Sequence, residues 1–213
     1  MAGLVPAIPM RWAQCLPERG PRDKPGGDND RGRRQRSAVK SAMAKPLTFQ
    51  FTDDGAVPNN ALPVVVYERA LDLGRSGDPA AALEALFRSN GWGRDMWRNG
   101  VYTFVHYHSM IHEVVGVACG YGRIQLGGEQ GRVFELTSGD VAVLPAGTGH
   151  QKLDTSGDFL VVGGYPPEGT YTLCRGDNPA ERDKALQTIP RVPLPKSDPV
   201  LGTSGGLTDL WTR

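Results

Sequence analysis

The stretch from Gly100 to Gly120 reads GVYTFVHYHSMIHEVVGVACG. In an extended segment alternate side chains lie on one face, so His106 and His108 point the same way, about 7 Å apart along the backbone. Glu113 opens the next apolar run, where antiparallel pairing places its carboxylate opposite the two imidazoles. The stretch therefore predicts two strands that bring three potential metal ligands together.

A second stretch, residues 139–150, reads GDVAVLPAGTGH and supplies a fourth candidate ligand. Its apolar run predicts a strand, Pro145 and Gly147 predict a tight turn, and His150 follows that turn. Three imidazoles and one carboxylate suit a divalent transition metal, namely iron, manganese, nickel, copper or zinc. We therefore expect one such ion, with four ligands: His106, His108, Glu113 and His150.

The two stretches resemble the two sequence motifs of the cupins, G-x5-H-x-H-x(3,4)-E-x6-G and G-x5-P-x-G-x2-H-x3-N. The first motif is matched at every position, and the second is matched through His150, with Asp154 where the family has Asn. The resemblance implies a double-stranded β-helix, or jelly-roll, barrel that holds a metal in its interior through the same four ligands. Beyond the motifs, the chain resembles stand-alone single-domain bacterial cupins of unassigned activity.

Composition agrees with an all-β fold in one domain. The chain has 213 residues, of which 39% are hydrophobic and 22% charged, as in ordinary globular proteins. Its 28 glycines and 17 prolines favour many short strands and turns over long helices. Three cysteines without a C-x-x-C pair indicate neither a disulfide framework nor a zinc finger, so we expect a cytoplasmic protein.

Charge divides the chain into two parts. Residues 1–42 hold nine Lys or Arg and four Asp or Glu, whereas the rest holds 15 basic and 19 acidic side chains. We expect a disordered extension over 1–44, with Met43 the true start, although a basic arm that binds an acidic partner stays open. We expect one cupin domain over 45–213, with the barrel at 100–165 and a C-terminal tail wrapped around it. Its mildly acidic charge and the absence of a long apolar run argue against nucleic-acid and membrane partners.

Local signals predict further elements. Asp78 followed by Pro79 predicts a helix that ends near Asn90. Leu207, Leu210 and Trp211 are candidate anchors of the tail on the barrel. Strands are predicted for these apolar runs: 47–51, 62–67, 101–108, 113–118, 123–126, 133–136, 141–144 and 159–162.

Two further side chains are candidates for contact with a ligand of the metal site. Lys152 lies two residues after His150 and shares its face if the strand has no bulge; its partner is then either Asp154 or an anionic substrate. Tyr102 shares the parity of His106 and can donate a hydrogen bond to a ligand. His112 has the opposite parity to Glu113 and is expected to point away from the barrel interior.

These observations favour a metal-dependent enzyme of oxygenase or decarboxylase type that acts on a small anionic organic molecule. Its candidate catalytic residues are Glu113, Lys152 and Tyr102. A metal-containing binding or sensing module without turnover, and a barrel that needs no metal, stay open as alternatives. The resemblance to cupins also implies that two copies can pair as a homodimer through outer strands.

Overall fold

The computed structural model describes residues 45–203 and 205–212. The predicted disordered extension and the Met43 start concern residues 1–44, which lie outside the described part. The described strands are β1 (Leu47–Phe49), β2 (Val64–Tyr67), β3 (Arg94–Asn99), β4 (Glu113–Cys119), β5 (Tyr121–Leu126), β6 (Arg132–Thr137), β7 (Val141–Leu144), β8 (His150–Thr155) and β9 (Leu160–Tyr165). The described helices are α1 (Pro79–Ser89), α2 (Pro179–Thr188), with a 3-10 turn Ile189–Arg191 after it, and α3 (Leu207–Leu210).

The strands form two antiparallel sheets that pack face to face. The large sheet has the order β1-β2-β7-β4-β9-β3, and the small sheet has the order β6-β5-β8. The chain crosses between the sheets repeatedly, since β7 and β9 belong to the large sheet and β8 to the small one. This is the predicted jelly-roll barrel, and the all-β fold class with a short helix before the barrel is confirmed.

The central strands of the large sheet, β2, β7, β4 and β9, are buried on both faces, which explains why they are apolar without alternation. In β2, Val64 and Val66 enter the core between the two sheets. Val65 and Tyr67 point the other way, into a second apolar layer beneath α1 and the C-terminal tail. Both faces of the strand therefore lose contact with water, as in sheets that are covered by helices.

The small sheet is covered on one face only, and its sequence alternates accordingly. In β5, Ile124 and Leu126 are buried against the large sheet, whereas Tyr121 and Arg123 are exposed. This period of two is the expected pattern for a strand with one solvated face.

Helix α1 begins and ends where the sequence predicts. The Asp78 carboxylate accepts a hydrogen bond from the Ala81 backbone N–H at 2.9 Å, and Pro79 takes the first helical position. The helix packs Phe87 onto the large sheet at Gly116, where a Cβ atom would come within 2.9 Å of the phenyl ring. The missing side chain at this glycine therefore makes room for the helix.

One predicted strand is wrong, and two observed elements have no counterpart among the sequence-based predictions. Residues 101–108 do not form a regular strand and pair only through isolated bridges at His106 and Tyr107. Strand β3 was not predicted, because it is a polar edge strand with a bulge and a positive φ at Asp95. Helix α2 was not predicted either, although Asn178 and Pro179 give it a regular start with the Asn178 side chain as cap.

Residues of the C-terminal tail pack on the outer layer of the large sheet. The buried Asp198 carboxylate accepts hydrogen bonds from the Tyr67 hydroxyl and, at 2.7 Å, from the Leu207 backbone N–H. Trp211 is also buried, and its indole N–H donates to the Pro63 carbonyl at 2.8 Å. Leu210 is 36% exposed and does not act as an anchor.

No helix of the described ranges, 45–203 and 205–212, is both long enough and apolar enough to span a bilayer.

Replacing Phe87 with Ala tests whether the layer beneath α1 contributes to the stability of the barrel. We expect the free energy of unfolding to fall by about 3–5 kcal/mol, since the variant leaves a cavity between α1 and the large sheet. Urea unfolding measures this, with Leu186→Ala on the exposed side of α2 as control, expected to change it by less than about 0.5 kcal/mol. Equal effects of the two substitutions would contradict the assignment of Phe87 to the core.

Candidate metal centre

Three buried imidazoles converge at one end of the barrel interior. One ring nitrogen from each of His106, His108 and His150 lies within 4.8 Å of the other two. The ring centroids of His106 and His150 are 3.9 Å apart, and that of His108 lies 5.8 Å and 5.6 Å from them. The structure therefore brings together the three histidines that the sequence singles out.

Backbone hydrogen bonds hold the two histidine-bearing segments together. The His106 N–H donates to the His150 carbonyl at 3.2 Å, and the His150 N–H donates to the His106 carbonyl at 2.8 Å. The Gly147 N–H donates to the His108 carbonyl at 2.8 Å, with Gly147 at a φ of 92° that an L side chain rarely adopts. The two motifs are thus one structural unit, although they lie about forty residues apart.

The Nδ1 atom of each imidazole faces a backbone carbonyl oxygen. His106 Nδ1 lies 3.2 Å from the Phe104 oxygen, His150 Nδ1 lies 3.0 Å from the Thr148 oxygen, and His108 Nδ1 contacts the Thr172 oxygen. A carbonyl can only accept, so each Nδ1 must carry a hydrogen. In the neutral imidazole the lone pair is then on Nε2, as is usual for a histidine that binds a metal.

Glu113 brings the fourth donor from the large sheet. Its Oε2 atom lies 3.4 Å from His108 Nε2 and 3.3 Å from His150 Nε2. Adjacent antiparallel pairing does not produce this contact, because Glu113 pairs with Leu144 in the sheet. The carboxylate instead reaches across the barrel interior, which corrects the route predicted from the sequence but keeps the residue.

Burial and mutual charge set the protonation of this cluster. Burial, together with the neighbouring His150 and His108, lowers the pKa of His106 to about 2. Burial opposes ionisation of Glu113, but the charge of His108 outweighs it and holds the pKa of the carboxyl well below its usual range. Burial also opposes protonation of His108, yet the Glu113 carboxylate outweighs it and raises the pKa of that imidazole. Glu113 therefore stays ionised in the barrel interior, and its charge is balanced either by a protonated His108 or by a metal cation.

The donor set fits a divalent transition metal. Glu113 Oε2 is completely buried and makes no well-formed hydrogen bond with any residue of 45–203 or 205–212. The Nε2 lone pairs of neutral imidazoles would face this oxygen as acceptors, which is unfavourable without a cation between them. Three nitrogen donors and one carboxylate around a shared point are a suitable set for zinc, iron, manganese, nickel or copper.

Two half-exposed tyrosines, Tyr102 and Tyr171, pack against the histidine cluster and mark its exposed side, here called the entrance. Tyr102 is 43% exposed and its ring lies edge-to-face against His106 at 5.0 Å. Tyr171 is 48% exposed and its ring lies 4.9 Å from that of His108. Tyr165 packs against both Tyr171 and His108, and its hydroxyl accepts a hydrogen bond from the Trp97 indole at 3.1 Å. The structure thus places Tyr102 at the rim rather than deep in the interior.

Tyr165 and Tyr171 were not predicted as residues of the site. Tyr165 ends β9, and Tyr171 belongs to the tail that returns past His108. Alternation within the two motif strands gives no signal for side chains that arrive from a distant segment. Only the tertiary arrangement reveals them.

Lys152 lies on the same face of β8 as His150, as the sequence predicts, but Asp154, one of its two predicted partners, does not pair with it. Lys152 lies opposite the buried Ile124 of β5, two positions along from the pair that His150 forms with Leu126. Its Nζ atom lies 3.7 Å from where a Cβ atom of Gly100 would stand. A bulge shifts the register so that Asp154 pairs with the exposed Arg123. The described residues, 45–203 and 205–212, give Lys152 no ion pair.

His112 lies on the far side of the large sheet, as its parity predicts. It is buried, its Nδ1 accepts a hydrogen bond from the Ala146 N–H at 3.0 Å, and its ring packs on Trp211 at 4.7 Å. Its role is to connect the Glu113 segment with the turn before His150 and with the tail.

Comparison with known proteins finds a relative that aligns over nearly its whole length. The chain is 39% identical over 168 residues to the uncharacterized protein YjlB of Bacillus subtilis (strain 168), an alignment that covers 78% of this chain and 96% of YjlB. No protein-family model matches the chain.

Among solved structures the similarities are distant. An uncharacterized protein with a double-stranded beta-helix domain from Klebsiella pneumoniae matches at 16% identity and a TM-score of 0.32, over 71% of this chain and all of the other. A Bacillus subtilis oxalate decarboxylase matches at 17% and 0.31, over 55% of this chain, which spans 28% of that enzyme. Acireductone dioxygenase from Bacillus anthracis, with cadmium in its active center, matches at 19% and 0.26, over 52% of this chain and 54% of the other. None of these structures bears on what this chain acts on.

The orientation of the three imidazoles can be tested by NMR. We expect two-bond ¹⁵N–¹H correlation spectra to show a protonated Nδ1 in His106, His108 and His150, because each faces a carbonyl oxygen. An unprotonated Nδ1 in any of the three would show that its Nε2 does not supply the lone pair at the site.

Proposed function

We propose that this chain, which belongs to the same family as YjlB of Bacillus subtilis and carries the cupin motifs on a double-stranded β-helix fold, is a metal-dependent enzyme that acts on a small anionic organic molecule. Its four metal ligands are those that the sequence predicts: His106, His108, Glu113 and His150. The observation that supports this most strongly is the buried Glu113 carboxylate, which faces two imidazole nitrogens at 3.3 and 3.4 Å. A metal ion would satisfy all of these donors at once.

The remaining residues of the site suit the binding of an anion. Lys152 lies on the same face of β8 as His150, and the described part of the chain gives it no carboxylate partner. A partly buried ammonium group is stabilised by an anion beside it. We therefore assign the anionic group of the substrate to Lys152, with the Tyr102 hydroxyl as a hydrogen-bond donor at the rim.

The metal, when bound, would polarise a carboxylate or hydroxyl oxygen of the substrate as a Lewis acid, or serve as a redox centre if it is iron. The protein holds the imidazoles in one orientation through the Nδ1 contacts with backbone carbonyls. Burial within the barrel keeps bulk water away from the four donors. The chain thus supplies a prepared, dry site, and an oxygenase or decarboxylase reaction is the chemistry we propose for it.

A module that binds a metal and a small molecule without turnover is the second candidate. Glu113 favours it, since a carboxylate committed to a metal cannot also act as a free general base. The third candidate, a barrel without metal, leaves the Glu113 charge to be balanced by protonation of a buried imidazole, which burial opposes.

Metal content tests the assignment of the ligands. We expect protein purified without a chelating resin to hold about one transition metal ion per chain, and His106→Asn or His150→Asn to lose at least nine-tenths of it, since one nitrogen donor is removed. Elemental analysis by mass spectrometry measures this. Gln151→Ala is the matched control, because Gln151 adjoins His150 in β8 but points to the opposite face, where its side-chain amide donates a hydrogen bond to Gln125 of β5. Full metal content in the His150 variant would refute the assignment.

Lys152→Met tests the anion site. We expect affinity for small carboxylates to fall at least tenfold with metal content unchanged, because the variant removes the charge but keeps most of the side-chain volume. Titration calorimetry with formate, malonate and benzoate measures the affinities, and Lys184→Met on the exposed face of α2 is the control. Unchanged affinity in Lys152→Met would assign the lysine to the surface of the barrel.

Turnover separates the enzyme from the binding module. We expect the metal-loaded protein either to consume oxygen or to release carbon dioxide with at least one member of a panel of small organic acids. Oxygen-electrode and carbon dioxide measurements distinguish the two reaction types. Binding of acids without either signal across the panel would support the module instead.

A further inference from the structure

A stack of three flat groups stands beside the candidate metal centre. The Arg175 guanidinium carbon lies 4.1 Å from the centroid of the Phe104 ring, and the Tyr102 ring lies 4.8 Å from it at an interplanar angle of 21°. Two groups at these distances cannot share one face of Phe104, so they occupy its opposite faces. The order of the stack is therefore Arg175, Phe104, Tyr102.

The Tyr102 end of this stack is open. His106 does not close it, because its centroid is 5.0 Å from Tyr102 and 5.7 Å from Phe104, which places His106 beside the stack rather than at its end. In the described part of the chain, no other ring contacts Tyr102. Tyr102 therefore keeps one uncovered face, and its ring contacts His106, a residue of the candidate metal centre.

A second half-exposed tyrosine faces the same entrance from the other side. The ring of Tyr171 packs against that of His108 at an interplanar angle of 44°, and its centroid lies 5.8 Å from that of the Tyr165 ring. Tyr102 and Tyr171 are thus both about half exposed, and each contacts a histidine of the same cluster. A half-exposed tyrosine therefore packs against each of two imidazoles of the candidate metal centre, those of His106 and His108.

We propose that Tyr102 and Tyr171 are specificity-determining residues that select a planar, conjugated carboxylate, such as an aromatic acid, over a puckered aliphatic acid of the same charge. The flat body of the ligand stacks on the free face of Tyr102, while its carboxylate reaches the metal centre and Lys152. This inference rests on the proposed function, since it takes the anionic group to bind there.

The physical basis is the preference of aromatic rings for offset stacked partners. One such contact strengthens binding from about twofold to about tenfold beyond the burial of area alone. A saturated ring of similar size buries a comparable area but has no flat face to stack. The difference between the two ligands thus isolates the stacking contribution.

The experiment compares benzoate with cyclohexanecarboxylate on the metal-loaded full-length protein. We expect benzoate to bind at least fivefold more tightly by titration calorimetry. Tyr102→Leu and Tyr171→Leu are each expected to reduce this preference to less than twofold, whereas Tyr102→Phe retains it, since the ring remains. Tyr121→Leu is the control, because Tyr121 is 50% exposed on β5 and belongs to the small sheet, away from the entrance.

The outcomes separate this inference from the proposed function. Equal binding of the two acids by metal-loaded wild type, or an undiminished preference in both leucine variants, overturns the inference and leaves the proposed function standing. If the wild-type protein holds no metal, or if it binds neither benzoate nor cyclohexanecarboxylate, the inference and the proposed function are both overturned. Metal content and thermal stability of every variant, measured alongside, exclude loss of preference through unfolding.

Discussion

The contact between the Glu113 carboxylate and the imidazoles is the interaction on which the rest of the site depends. A buried carboxylate is costly unless a cation or hydrogen-bond donors compensate its charge. Here the surrounding nitrogens are turned by backbone carbonyls so that Nε2, not the Nδ1 hydrogen, faces the carboxylate. The local backbone thus prepares a cluster of acceptors, and a metal ion is the partner that makes such a cluster favourable.

The fold keeps this cluster fixed, because the strand that carries Glu113 is buried on both faces. The large sheet is covered by the small sheet on one face and by α1 and the tail on the other, so Glu113 projects from a strand with little freedom to move. His112, next in the chain, contacts Trp211 and the Ala146 backbone, and so joins the tail to both motifs. The tail that covers the barrel also contributes Tyr171 to the entrance. Stability and the shape of the site are therefore linked through the same C-terminal segment.

The amino-acid sequence is sufficient to predict the barrel, helix α1 and the four residues of the cluster, because alternation, capping and spacing are local signals. It does not reveal that Glu113 reaches across the barrel, since that depends on how two sheets are stacked. The bulge that turns Asp154 away from Lys152 has no signature in β8 alone. Tyr165 and Tyr171 reach the site through tertiary contacts. The start of α2 does carry a signal, an Asn cap followed by Pro, but the polar composition of the tail obscures it.

Anomalous X-ray diffraction from crystals of the protein, collected on both sides of a metal absorption edge, tests the central claim most directly. We expect one anomalous peak between the two sheets, with three Nε2 atoms and one Glu113 oxygen at about 2.0–2.2 Å from it. A barrel with no anomalous peak at that position, or a metal bound through Nδ1 atoms with Glu113 turned away, would contradict it.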